Sequence, residues 1–226
     1  MNLLVLGKGK MGSTVIELAG ERGHQVSAHD EFDNPHGCML TPERLQRIDV
    51  VADFTWPDAV LDNIRGCARA GKNLLVGTTG WYQKLGEVRA EVEKSGIGFL
   101  YGANFSIGIN SFFAAARALA PALKQGLTGH IKEIHHIHKK DAPSGTAVQL
   151  QGVVEEASGI KLPAESVREG EVVGYHELVL DAPGEMIVLA HTARSRRAFA
   201  EGAVRGAEWL RGKHGFFDFK TIFREV

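Results

Sequence analysis

Five short strand-like runs, each followed by small or polar residues and then by helical periodicity, restrict the fold of this chain more than any other feature. They are Asn2 to Leu6 (NLLVL), Gln25 to Ala28 (QVSA), Asp49 to Phe54 (DVVADF), Asn73 to Val76 (NLLV) and Gly98 to Tyr101 (GFLY). Short, nearly continuous apolar runs are the pattern of strands buried on both faces of a parallel sheet. After the first run, Met11, Val15, Leu18 and Ala19 fall at helical spacing up to a stop at Gly20, and helices are predicted over 58–70 and 82–94. The alternation predicts a doubly wound parallel α/β sheet, whose ligands sit outside the carboxyl ends of the strands.

The first strand end carries Gly7-Lys8-Gly9-Lys10-Met11-Gly12, a GxGxxG spacing opening a helix. Glycines let the backbone turn sharply and approach a pyrophosphate, whose charge is met by N–H groups at the helix start. The two lysines make the fingerprint imperfect, and context must strengthen it. The second strand supplies that context, because it ends at His29, Asp30 and Glu31, where an acid would accept from ribose hydroxyls. Asp30 is assigned this role. A carboxylate there disfavours a 2′-phosphate, so NADH is expected to be used at least as well as NADPH. Three further strand ends belong on the same sheet edge: Phe54-Thr55-Trp56-Pro57, Gly77-Thr78-Thr79-Gly80 and Gly102-Ala103-Asn104-Phe105.

Composition narrows the partners. With 26 Lys+Arg against 27 Asp+Glu the formal charge is -1, so no global field recruits nucleic acid or an anionic membrane. Cys38 and Cys67 lack a CxxC spacing and are expected to be free thiols, and no leader or membrane-length segment is present, so a cytoplasmic protein is expected.

From Ile107 the composition changes to an Ala-rich helix ending near Gly126. Beyond it, Ile131 to His138 alternates as a strand and Thr146 to Ala157 reads as a helix. Val172 to Leu180 and Glu185 to Thr192 read as a hairpin around Asp181-Ala-Pro-Gly184. A second domain with a mixed or antiparallel sheet follows. Its apolar residues exceed what one helix can bury, which predicts an oligomer. Ala198 to Leu210 is a last helix, and Gly215 to Phe219 is an aromatic tail that must pack against something.

Titratable chemistry is concentrated in Glu133 to Ala147, EIHHIHKKDAPSGTA. As an extended segment it places Glu133, His135, Ile137 and Lys139 on one face and His136, His138 and Lys140 on the other. A histidine beside a lysine suits proton delivery near neutral pH, and the pair attracts dianions. The helix starting near Thr146 adds free N–H groups that suit a carboxylate. Three other readings compete. A metal centre lacks an HExxH or cysteine partner, a nucleic-acid patch lacks an aromatic array, and a solvated edge strand is common.

The stretch EIHHIHKKDAPSGTA closely resembles the signature of the 4-hydroxy-tetrahydrodipicolinate (dihydrodipicolinate) reductase family. The resemblance extends to the glycine loop, DFT at Asp53 to Thr55, GTTG at Gly77 to Gly80, GANFSIGIN at Gly102 to Asn110, and FAEGAVRGAEWL. It implies a Rossmann-type doubly wound parallel sheet over 1–105 that binds NADH or NADPH. It also implies a smaller α+β substrate and oligomerisation domain over 106–196, a helix and tail over 197–226 that return to the first domain, and a homotetramer. It further implies hydride transfer to a small dicarboxylate with loss of water, His135 and Lys139 as the proton-delivering pair, and no metal. His136, Gly145 and Thr146 would bind substrate. Gly7, Lys8, Gly9, Lys10, Met11, Gly12, Asp30, Gly77, Thr78, Thr79, Gly102, Ala103, Asn104 and Phe105 would bind cofactor. Two departures stand out: a glycine loop one residue shorter than usual, with Lys10 where Arg is frequent, and a short 162–172 region. The latter is expected to lack a strand before Val167-Arg168 and so to reduce the second sheet.

Overall fold

The computed structural model describes every residue except Glu31. It divides into two compact units, residues 1–107 with 196–226, and residues 108–195.

The first unit is built on β1 (Asn2–Leu6), β2 (Gln25–His29), β3 (Val50–Asp53), β4 (Asn73–Val76) and β5 (Gly98–Tyr101), with helices α1 (Lys10–Glu21), α2 (Pro57–Arg69) and α3 (Leu85–Ser95) between them. The strands are all parallel, and the sheet order is β10-β5-β4-β3-β1-β2, where β10 is Gly215–Asp218. The aromatic tail is therefore a sixth strand. Phe216 stacks on Phe99 of β5 at 5.0 Å between ring centroids.

Alternation along each strand serves two cores. Leu74, Val76 and Phe99 join Val60 and Ile64 of α2 and Val88 and Val92 of α3 on one face. Leu75 and Leu100 point to the other, where α6 (Arg197–Leu210) lies against them at Gly206. Gly202 of α6 sits flush on the backbone after β5, and a Cβ there would come within 1.7 Å of the Phe105 carbonyl oxygen. Strand order reverses between β1 and β3, which makes the space between their carboxyl ends the topological switch point.

The second unit is a four-stranded mixed sheet in the order β7-β6-β8-β9. Its strands are β6 (Thr128–His135), β7 (Ala164–Arg168), β8 (Gly174–Ala182) and β9 (Glu185–Ala193), and its helices are α4 (Ile107–Leu119) and α5 (Gly145–Ser158). β7 runs parallel to β6, whereas β8 and β9 form the antiparallel hairpin. The expectation of a missing strand before Val167-Arg168 is overturned, since Ala164–Arg168 is that strand. Phe112, Phe113 and Ala116 of α4 and Leu150 and Val154 of α5 cover one sheet face through Ile131, Leu178 and Leu180. The Ala-rich helix stops at Leu119, and a 3-10 segment containing Pro121 carries the chain to Gln125.

β6 ends at His135 instead of His138. The chain turns away because the His136 amide donates to the Val172 carbonyl and the Lys139 amide to the His136 carbonyl. Strand alternation therefore does not bring Lys139 toward His135; a turn does. A short last helix, α7 (Phe219–Ile222), closes on the first unit, with Phe219 4.7 Å from Phe105 between ring centroids. Among the described residues, no helix is long and apolar enough to cross a membrane.

Candidate active site

In the first unit the strand ends form a cleft of about 450 Å³ lined by Gly7, Lys8, Gly9, Lys10 and Met11 from the β1–α1 turn, Asp30 and Phe32 after β2, and Phe54, Thr55 and Trp56 after β3. Gly7 adopts φ +90°, which only glycine takes without strain, and a Cβ on it would strike the Phe54 carbonyl oxygen at 2.5 Å. Gly12 packs beneath the loop, with its Cβ position 1.9 Å from the Gly7 carbonyl oxygen, whereas a Cβ on Gly9 meets nothing within 4 Å. Gly7 and Gly12 thus shape the turn, and Gly9 presents bare backbone at the start of α1. A pyrophosphate fits such a surface.

Asp30 stands at the end of β2, and its Oδ1 accepts from the amides of Phe32 and Asp33 at 3.1 Å each. The Lys8 ammonium bridges Asp30 and Asp33 at 3.0 and 3.1 Å. Their hydrogen bonds and charges hold the Asp30 carboxyl below its ordinary range and push the Lys8 ammonium up. A neighbouring cavity of about 210 Å³ is lined by Asp30, Asp58 and Asp62 among others, with His36. This end of the cleft is consequently rich in carboxylates, and Lys8 is already paired.

The other strand-end residues are placed by a buried carboxylate. Asp53, at the end of β3, is fully buried and accepts from the Thr55 amide and hydroxyl, the Thr78 hydroxyl and the Asn63 amide group at 2.7 to 2.9 Å. Burial pushes its carboxyl up despite these donors. Asn63 in turn accepts from Asn34 at 2.9 Å, so the ends of β2, β3 and β4 share one polar chain. Thr78 is buried in this chain while Thr79 is exposed. Gly77 lies under the Phe54 ring, 2.2 Å from it at the Cβ position. Gly102 is buried and Ala103 exposed; Asn104 Oδ1 accepts from the Ser106 amide at 2.8 Å. The Phe105 side chain is turned into the core rather than to the strand-end surface.

In the second unit, the inner face of β6 runs Ile131, Glu133, His135, so the apolar core passes into a polar end. The register then decides the company these residues keep. Ser166 and Arg168 of β7 lie beside Glu133 and His135, and His176 of β8 lies opposite Glu133. Glu133 is fully buried, with Oε1 2.9 Å from Arg168 Nη1 and Oε2 in a short hydrogen bond with His135 Nδ1. Burial pushes the Glu133 carboxyl up, but Ser166, Arg168 and His135 more than offset this and hold it below its usual range. Burial likewise lowers His135, partly opposed by Glu133, and Lys139 lowers it further. The His176 ring meets His135 edge-on at 5.1 Å, and burial with His135 beside it pushes His176 down to about 4.

From His176 the contacts reach α5. Its Nε2 is 3.2 Å from the hydroxyl of Ser144, the N-cap, which also accepts from the Ala147 amide at 3.2 Å. Gly145 and Thr146 fill the first turn, where helix geometry leaves amides without intrahelical acceptors. Lys139 Nζ pairs with Asp141 Oδ1 at 2.8 Å, and Lys139 together with the Gly145 amide holds the Asp141 carboxyl below its ordinary range. A carboxylate thus already sits between the lysine and the helix start. His136 Nδ1 is buried with no hydrogen-bond partner among the described residues, and its ring lies 6.1 Å from His138. His135, Lys139, Gly145 and Thr146 are therefore linked through His176, Ser144 and Asp141.

Glu133, His135 and His176 are the one group among the described residues with three metal-type donor atoms within 4.8 Å of one another. The guanidinium on Glu133 and the hydrogen bond filling the Glu133–His135 gap oppose a dication there.

Sequence reasoning missed Phe32 at the cleft; it named Asp53 to Thr55 as the DFT motif and Phe54 to Pro57 as a strand end, but assigned none of them a role. A lone acid closing an apolar strand, as in DVVADF, was the available signal for Asp53. Arg168 and His176 gave none, because only the register brings them in.

The doubly wound sheet with its glycine turn, followed by a mixed-sheet unit with a buried histidine–carboxylate centre, defines a two-unit protein of the Rossmann-type class. The family models for dihydrodipicolinate reductase match at both ends, the N-terminus over residues 1–105 and the C-terminus over 108–223. The chain belongs to the dihydrodipicolinate reductase family. It is 35% identical over 241 residues to a 4-hydroxy-tetrahydrodipicolinate reductase of Christiangramia forsetii, covering 100% of this chain and 99% of the relative. It is 37% identical over 261 residues to one of Laribacter hongkongensis, covering 98% and 97%. A dipicolinate-bound dihydrodipicolinate reductase from Paenisporosarcina sp. TG-14 has the same fold, with TM-score 0.79 at 20% identity over 98% and 99% of the two chains.

Proposed function

We propose that this chain reduces 4-hydroxy-tetrahydrodipicolinate to tetrahydrodipicolinate with loss of water, at the expense of NADH or NADPH, in the diaminopimelate route to lysine. The observation that carries the reading, beside family membership, is the linkage of His135 and Lys139 to the start of α5. That arrangement offers a proton donor next to a binding place for carboxylates.

The bound nicotinamide supplies the hydride. This chain's residues orient, neutralise and move the proton. Lys139 and the Gly145 and Thr146 amides hold one substrate carboxylate, which takes the position Asp141 has against them, and His136 serves the other. His135 donates from Nε2, since Nδ1 is committed to Glu133. The net change consumes one hydride and one proton and releases one water. In the first unit, Gly7 to Gly12 cradle the pyrophosphate, Asp30 accepts from the adenosine ribose, and Gly77 to Thr79 with Gly102 to Phe105 line the nicotinamide side. For Phe105 the contribution is backbone.

NADH is expected to serve at least as well as NADPH. A 2′-phosphate carries roughly two negative charges at neutral pH, and here it would meet Asp30, Asp33, Asp58 and Asp62 with Lys8 already paired. Oxidation of each nucleotide should be followed separately with freshly generated substrate. kcat/KM for NADH at or above that for NADPH is expected, with Asp30→Asn eroding the difference. Strict NADPH use would overturn this assignment, and no turnover with either nucleotide would overturn the function.

A cytoplasmic homotetramer belongs to the same reading. Cys38 and Cys67 are free. The sheet face away from α4 and α5 leaves Met186 64% and Val188 50% exposed at one end, with Ile134, Val167 and Tyr175 half-buried at the other end of the same face. Such an apolar face suits another copy of the chain. Sedimentation at micromolar concentration should give four times the 24.5 kDa chain mass; a monomer would refute it.

A further inference from the structure

We propose that Glu133, clamped by Arg168, is the positioning residue for His135: it accepts the Nδ1 proton, fixes the ring's tautomer and orientation, and leaves Nε2 to carry the transferred proton. The proposal rests on the reading of His135 as proton donor.

Residues two apart share a face, so Glu133 and His135 emerge side by side from β6. An ionised carboxylate can only accept, so a hydrogen bond between Glu133 Oε2 and His135 Nδ1 requires the proton on Nδ1. Glu133 is ionised because Ser166, the Arg168 guanidinium 2.9 Å from Oε1 and His135 together offset the cost of burying its charge. Nε2 is then the atom left for chemistry. It lies beside Gly174, where a Cβ would come within 3.1 Å of it, so the flank of the ring is kept bare.

The consequence is electrostatic as well as geometric. When His135 takes up its second proton the imidazolium forms against a buried carboxylate, which stabilises it as a triad carboxylate stabilises its histidine. The charged and titratable groups facing the ring are Glu133 on the same strand, Arg168 on β7, His176 on β8 and Lys139 in the turn after β6. His191 on β9 acts one step removed, through His176. Burial, Lys139 and Arg168 oppose the imidazolium and Glu133 favours it, so the balance rests on one carboxylate.

The test is ¹⁵N NMR of histidine-labelled protein, with the His135 resonances identified by their loss in His135→Asn, alongside pH profiles of kcat. Wild type should show the neutral His135 ring in the Nδ1–H form. In Glu133→Gln the His135 titration and the alkaline fall in kcat should both move to lower pH, with kcat reduced about 10- to 100-fold and KM little changed. In Arg168→Met both should move to higher pH, because the guanidinium no longer opposes the imidazolium or offsets the carboxylate beside it. A purely structural Glu133–Arg168 pair would not move them in opposite directions. An Nε2–H tautomer in wild type, or an unmoved titration in both variants, would overturn the proposal. Because the tautomer is read without turnover, it stands apart from the assignment of His135 as donor, which falls if His135→Ala retains activity.

Discussion

Truncation of His135 to Ala is expected to lower kcat by about 10²- to 10⁴-fold, the usual worth of a positioned general acid. KM for the substrate should change far less, because the groups proposed to hold its carboxylates, Lys139, His136 and the α5 start, are left in place. The variant also leaves a buried carboxylate facing a cavity, but Arg168 still neutralises Glu133, so the second unit should stay folded. Steady-state kinetics with a near-ultraviolet circular dichroism spectrum separates loss of chemistry from loss of fold. The sign of the pH dependence follows from the donor's role. A group that must be protonated loses activity as pH rises through its pKa, and burial has moved His135 down. In the free enzyme the fall should therefore begin below the ordinary histidine range. Unchanged turnover in His135→Ala would remove it from the mechanism.

The second large effect concerns the glycine turn, where two glycines should respond differently. In Gly12→Ala the new Cβ would lie 1.9 Å from the Gly7 carbonyl oxygen, and the obstacle is backbone that cannot rotate away. The loop must lift off α1, at a cost of about 1–3 kcal/mol or more. Nucleotide affinity should fall with it, since the amides no longer converge. Gly9→Ala adds a Cβ that meets nothing within 4 Å and sits on unstrained backbone at φ -70°. Its thermal midpoint should match wild type while its affinity for ADP-ribose or NADH falls at least about tenfold, by obstructing the pyrophosphate. Calorimetric titration and thermal melts of both variants check this. Gly9→Ala binding nucleotide as wild type does would show that no phosphate approaches that backbone.

The parallel sheet was legible because its strands are buried on both faces, and β1, β3, β4 and β5 each form a compact apolar run. β7, with sequence AESVR, was not: it is an edge strand paired only with β6, and its residues are mostly polar. β10 was read as a tail because an aromatic cluster says that it packs without saying that it hydrogen-bonds to β5. The chemistry of the second unit was half legible. The pairing of Glu133 with His135 follows from alternation alone, but Arg168, Ser166 and His176 arrive through strand register, which no local pattern encodes. Lys139 shows the converse. Alternation placed it beside His135 for a reason that does not hold, because backbone bonds from His136 and Lys139 end the strand first.

The position of β10 and α6 in the chain bears on how the protein is made. The first sheet cannot be completed locally, since β5 ends at Tyr101 and its neighbour begins at Gly215, with 113 residues between them. At roughly 5–20 residues per second of synthesis, that interval is about 6–23 s. Throughout it the β5 edge stays unpaired, and Leu75 and Leu100 wait for α6 to cover them. The unit spanning 108–195 emerges in full during the same interval. All strands of the inserted unit are thus available for pairing while the first sheet still lacks one, so the β5 edge is the last to be protected from association with other chains.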